Sequence, residues 1–116
     1  MTDKVGTPPL RLLQAISGTE HGGGAEKFFV RLALALDRYG IQQKLLVRAN
    51  RLWTDDLIKG GISPIELPFG GRADLKTRRL FAREITNFSP DIVLTWMNRA
   101  TRFCPDSVKD VKFCHI

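Results

Sequence analysis

Short apolar runs alternate along this chain with stretches of helical period, and that alternation constrains the fold more than any other feature. Residues 10–16 (LRLLQAI), 42–48 (QQKLLVR), 64–67 (PIEL) and 91–96 (DIVLTW) have the length and composition of strands buried on both faces. Between them lie residues 25–39, 51–59 and 73–88, each readable as a helix. In residues 25–39 the spacing predicts a buried stripe of Phe28, Leu32, Ala35, Leu36 and Tyr39, ended by Gly40. In residues 73–88 it predicts Phe81, Ile85 and Phe88 facing inward, with Ser89-Pro90 as the stop. Residues 111–116 read as a fifth strand. Strands joined through helices by short Gly or Pro turns imply an α/β fold, a Rossmann-like parallel sheet with helices on both faces.

A length of 116 residues fits one such unit, and no internal boundary or repeat divides it, so residues 1–9 read as a polar leader and 10–116 as a single body. No window holds the roughly 18 apolar residues of a membrane span, and the first residues lack the apolar run of a secretory signal. The two cysteines, Cys104 and Cys114, form no CxxC pair and read as small buried or half-buried apolar residues in a reducing cytoplasm. No metal site is expected. The net charge of +6 favours a phosphate-bearing or membrane-surface partner. Helix-turn-helix, zinc-finger and RNP patterns are absent, so nucleic acid is not expected.

The first strand runs into residues 17–24 (SGTEHGGG), where four of eight positions are glycine. In a doubly wound sheet that loop borders the ligand crevice at the C-terminal strand ends. Glycines there let a ligand approach the backbone, and the following helix offers free N–H groups and the positive end of its dipole to an anion. The spacing matches neither G-x-G-x-x-G nor a Walker loop, which argues against an ordinary NAD or ATP site. Gly22, Gly23 and Gly24 are therefore candidate phosphate-binding residues, with a tight strand-to-helix turn as the competing reading. His21 sits beside them, either toward a ligand or merely solvating the loop. Glu26, in the first helical turn, either matches the dipole or points into the crevice.

The segment His21-Gly22-Gly23-Gly24-Ala25-Glu26, placed after a first strand and before a long apolar helix, resembles the N-terminal domain of family 4 glycosyltransferases. Pro90-Asp91-Ile92-Val93-Leu94 is similar to that family's "PDIV" strand, and Trp96-Met97-Asn98-Arg99-Ala100 resembles its crevice-facing segment. The resemblance runs over residues 10–116. It implies the two-domain GT-B fold, an acceptor bound by this N-terminal domain, and hexosyl transfer from a nucleotide-sugar to a glycan or lipid-linked acceptor. The nucleotide-sugar is a co-substrate, and no other cofactor is implied. The family's donor-binding domain, with its basic pair and E-x7-E motif, is not among these residues. The chain is thus expected to be an incomplete GT-B N-terminal domain, inactive alone. A stand-alone module binding a phosphorylated metabolite is the alternative.

By the same resemblance His115 is the candidate for direct chemistry, able to accept a proton or hold an acceptor hydroxyl; an idle terminal imidazole is the other reading. Asn98 and Arg99 are candidates for sugar hydroxyls or phosphate. Trp96 can stack on a sugar or simply pack. Arg72, Lys76, Arg79 and Arg83, spaced by four, three and four, form one basic stripe. It is either a solvated face or an adhesive surface for anionic lipid, which would place the protein in the cytoplasm at the inner face of the membrane.

Overall fold

A computed structural model describes residues 10–19, 22–71 and 74–116. Five strands, β1 (Arg11–Ile16), β2 (Gln42–Arg48), β3 (Ile65–Leu67), β4 (Ile92–Trp96) and β5 (Cys114–His115), form one sheet in the order β3-β2-β1-β4-β5. Every pairing is parallel, with Leu13 opposite Lys44 and Val93. Helices α1 (Gly24–Arg38), α2 (Asp55–Lys59), α3 (Leu75–Phe88) and α4 (Asn98–Phe103) complete the fold, α2 being preceded by a 3-10 turn, Leu52–Thr54. This is the Rossmann-like α/β architecture expected from the alternation of runs.

Period-two alternation divides the strand residues between two apolar layers. Leu13, Ala15, Leu46, Leu67 and Val93 pack with Phe81, Ile85 and Phe88 of α3 and with Ala100 and Phe103 of α4. On the opposite face Ile16, Leu45 and Val47 pack with Phe29, Val30 and Ala33 of α1 and with Trp53 and Leu57. Gln14 is fully buried in the central strand on this second face. Its amide donates to Gln43 Oε1 (2.8 Å), Gln43 donates to the Ala33 carbonyl (2.8 Å), and Trp96 Nε1 donates to Gln14 Oε1 (3.0 Å). This relay crosses β4, β1 and β2 and pins α1, which satisfies polar atoms whose isolated burial would cost several kcal/mol.

The helix ends follow their local chemistry. Gly40 adopts φ +82° just beyond α1. Asp74 caps α3 by accepting from the Thr77 amide at 2.9 Å, and Ser89 closes it in the left-handed region before Pro90.

Three expectations change and one helix is added. The inward face of α1 is not the Phe28 stripe: Phe28 is 58% and Tyr39 84% exposed, whereas Glu26, Phe29, Val30 and Ala33 are buried. Apolar residues surround more than half of this helix, so period alone does not choose a face. Phe29 chooses it, standing edge-on to both Trp53 (6.0 Å) and Trp96 (5.7 Å). Next, Asn98–Phe103 is a helix, an element that the apolar and helical runs did not indicate. The fifth strand is two residues long, because Val108 and Val111 instead bridge across a turn with Asp110 at φ +65°. Lastly, Cys114 lies exposed on this edge strand, while Cys104 is buried as expected.

Candidate functional site

The strand order reverses direction between β1 and β4, each of which is followed by a crossover to the opposite side. Such a switch point leaves a crevice outside the C-terminal strand ends. The loop after β1 and the turn at Met97 after β4 meet there, with Ser17 Oγ 3.8 Å from Met97 Sδ. Met97 holds φ 74° and ψ 152°, a conformation that costs a non-glycine residue about 1–3 kcal/mol. The structure thus brings the glycine loop and the 97–98 turn to one edge.

The loop is built on two side chains. Trp53 is buried beneath it, and its Nε1 donates to the Thr19 carbonyl at 2.9 Å. A Cβ at Gly18 would lie 2.6 Å from the indole, and one at Gly22 would lie 3.1 Å from the Trp53 Cβ and 3.3 Å from its ring; both residues have positive φ. These two glycines are demanded by the protein itself. Glu26, 1% exposed, accepts from the Thr19 amide (2.6 Å), the Thr19 hydroxyl (3.0 Å) and the Gly23 amide (2.9 Å). Burial, the largest single effect, pushes its carboxyl up, but those amides, its own amide and the hydroxyl together hold it below the ordinary value. Glu26 therefore ties the loop together and is not aimed into the crevice, because its oxygens are already taken.

Gly23 and Gly24 differ from their neighbours. Among the described residues a Cβ at Gly23 would meet only Glu26 Oε1, at 3.4 Å, and one at Gly24 would meet nothing within 4 Å. Neither φ nor packing requires glycine at these two positions. No described residue fills the space beside the Gly24 Cα.

The other sequence candidates are spread along the same edge. Asn98 is exposed at the first position of α4. Arg99 is turned toward the loop after β3, where Nη1 donates to the carbonyls of Phe69 (3.1 Å) and Gly70 (2.9 Å). Trp96 packs edge-on to Phe28 and Phe29 and bonds Gln14, so its ring belongs to the α1 interface and not to a stacking platform. His115 lies on the outermost strand, with Nε2 2.9 Å from Thr95 Oγ1, and that hydroxyl is 2.8 Å from Thr101 Oγ1. Strand β4 separates it from the glycine strand β1. Lys76, Arg79 and Arg83 are exposed on α3 opposite Phe81 and Ile85. His21 and Arg72 lie outside the described residues.

Sequence reasoning missed Trp53 and Thr19, which shape the loop, and Arg48 and Arg51, which join Arg99. A groove of about 280 Å³ lined by Glu26, Lys27, Val30, Arg31, Trp53 and Asp56 opens between α1 and α2, on the flank of the crevice. Burial, with a smaller effect from Asp106, pushes the Cys104 thiol up to about 12, so it is not a thiolate nucleophile at neutral pH. Among the described residues no group of three His, Cys, Asp or Glu is placed to hold a metal, and no helix is long and apolar enough to cross a membrane.

Comparison with known proteins points one way. The chain is 38% identical over 104 residues to the lipopolysaccharide core biosynthesis glycosyltransferase LpsD of Rhizobium meliloti, a match covering 86% of this chain and 29% of that protein. It is 33% identical over 90 residues to LpsE of the same organism, covering 72% of this chain and 25% of the relative. The crystal structure of a glycosyltransferase from Rickettsia africae superposes with a TM-score of 0.66 at 21% identity, covering 92% of this chain and 29% of that one. No protein-family profile matches. The chain is thus homologous to a stretch of longer glycosyltransferases and spans less than a third of their length.

Proposed function

We propose that this homologue of a glycosyltransferase segment is the acceptor-side, N-terminal part of a family 4 enzyme of the GT-B form. The whole enzyme would move a hexose from a nucleotide-sugar to a glycan or lipid-linked acceptor of the cell envelope, and this part would not turn over alone. The observation that carries the reading is the 38% identity to a lipopolysaccharide-core transferase over 86% of the chain, in a fold whose open glycine loop stands at the switch point.

Each residue then has a task. Gly18 and Gly22 seat the loop on Trp53, and Glu26 holds its amides in place. Gly23 and Gly24 leave the start of α1 uncovered for the donor phosphates, which its dipole attracts. His21, in the same loop, is assigned to this site as well. Asn98, exposed beside the loop, hydrogen-bonds an acceptor hydroxyl, and Arg99 lends positive charge nearby. His115, oriented by Thr95, accepts the proton released as that hydroxyl attacks the anomeric carbon and the nucleotide leaves. The exposed Lys76, Arg79 and Arg83, with Arg72 four residues earlier in the sequence, hold the enzyme against anionic lipid at the cytoplasmic face of the membrane.

The test is a graft. Residues 10–116 replace the matching stretch of the R. meliloti LpsD protein, and sugar transfer to core acceptor is measured. Transfer by the graft, and its loss with Gly24→Val in a folded protein, is expected. A graft that folds and binds its nucleotide-sugar yet leaves the acceptor unmodified would contradict the proposal.

A further inference from the structure

Three arginines from three segments converge on the C-terminal edge of the sheet. Arg48 ends β2 in register with Leu67, so its side chain emerges on the face covered by α3 and α4. Arg51 follows after a turn in which Asn50 holds φ 61°. Arg99 reaches in from α4 and binds the carbonyls of Phe69 and Gly70, just beyond Leu67. All three side chains are half-buried. The Arg51 Nε is enclosed and has no hydrogen-bond partner among the described residues. Burial, followed by the charges of Arg51 and Arg99, pushes the Arg48 guanidinium down, so Arg48 lies close enough to both to be repelled by them.

No carboxylate among the described residues offsets them. The ion pair recorded there joins Lys59 to Asp55, on α2. Asp74, nearest along the Gly70 loop, has its oxygens engaged by Gly70 N, Thr77 N and Thr77 Oγ1. Three like charges in a half-buried place cost free energy unless a counter-charge arrives, and planar guanidinium forks suit an oxyanion. The cluster stands on the α4 side of the crevice, one strand from the glycine strand β1.

We propose that Arg48, Arg51 and Arg99 bind an oxyanion carried by a sugar, a phosphate ester or a uronate carboxylate, as the recognition site for an acidic acceptor. The acceptor part of this statement rests on the transferase reading; the anion site does not. An acidic sugar seated there would lie beside the crevice, leaving a neighbouring hydroxyl free to face the glycine loop.

The 116-residue chain is titrated with glucose 1-phosphate, glucuronate and neutral glucose, and binding is followed by calorimetry. At least one anion binds and glucose does not. Arg48→Gln and Arg51→Gln each weaken binding by about tenfold or more, while Lys109→Gln does not. Preference for one anion identifies the acidic group. Equal binding by wild type and both arginine variants, or no anion binding by the folded wild type, would overturn the proposal. Should the variants unfold, the arginine Nε–H resonances of the wild type decide: movement with the anion supports the site, and their constancy overturns it. Anion binding through these arginines with an inactive graft would sink the transferase reading and leave the anion site standing.

Discussion

Replacing Gly18 by alanine should unfold this loop from beneath. The added Cβ would stand 2.6 Å from Trp53 Cζ2 and 3.1 Å from Cε2 and Nε1, and the indole is pinned above by Thr19 and edge-on by Phe29. The residue also holds φ +66°, where an alanine costs roughly 1–2 kcal/mol. Forcing a methyl into packed surroundings adds roughly 1–3 kcal/mol. The sum, about 2–5 kcal/mol, corresponds to a fall in Tm of roughly 8–25 °C for a chain of this size. Gly24→Ala supplies the contrast, since its Cβ meets nothing among the described residues and, at the first position of α1, should change stability by no more than about 0.5 kcal/mol. Urea unfolding followed by far-UV circular dichroism and tryptophan fluorescence measures both. If the two variants unfold within about 0.5 kcal/mol of each other, the assignment of Gly18 to Trp53 packing is wrong.

Three further outcomes are expected. Glu26 has a folded value below its ordinary 4.5, so its stabilisation is present above that pH and is lost as the pH falls through the folded value. Wild-type urea midpoints should drop below pH 4.5, and Glu26→Gln, weaker at neutral pH, should drop less; parallel curves would refute this. Trp96→Phe leaves the buried Gln14 Oε1 without its donor and should cost about 1–3 kcal/mol, read from the same unfolding curves. Joint replacement of Lys76, Arg79 and Arg83 by Gln should weaken co-sedimentation with phosphatidylglycerol vesicles by about 1 kcal/mol per charge and flatten its salt dependence, with unchanged binding as the refuting result.

The sheet and its helices were legible because burial of a strand on both faces leaves an unbroken apolar run, and α3 showed one apolar stripe through Phe81, Ile85 and Phe88. The seat of α1 was not, because apolar residues fill too much of its circumference and the choice is made by Trp53 and Trp96, distant in sequence. Helix α4 escaped notice for a local reason: its six residues follow Met97, which makes no side-chain cap and holds a positive φ. Within the site, the glycine loop was found by composition, yet composition could not separate Gly18 and Gly22, which Trp53 requires, from Gly23 and Gly24, which nothing among the described residues requires. Glu26 was noticed in the first helical turn with its direction left open, since its donors, the Thr19 and Gly23 amides and the Thr19 hydroxyl, are set by loop geometry that residue types do not reveal. Arg48, Arg51 and Arg99 lie on separate segments and meet only through the strand order.

In the proposed enzyme the switch-point crevice receives the acceptor. Amide-resolved NMR of the isotope-labelled chain, titrated with lipopolysaccharide core oligosaccharide, tests it directly. Saturable shifts concentrated at residues 18–24 and 97–99, reduced in Gly24→Val, are the expected result. Shifts absent there while the oligosaccharide binds elsewhere, or no binding by the folded chain, would contradict it.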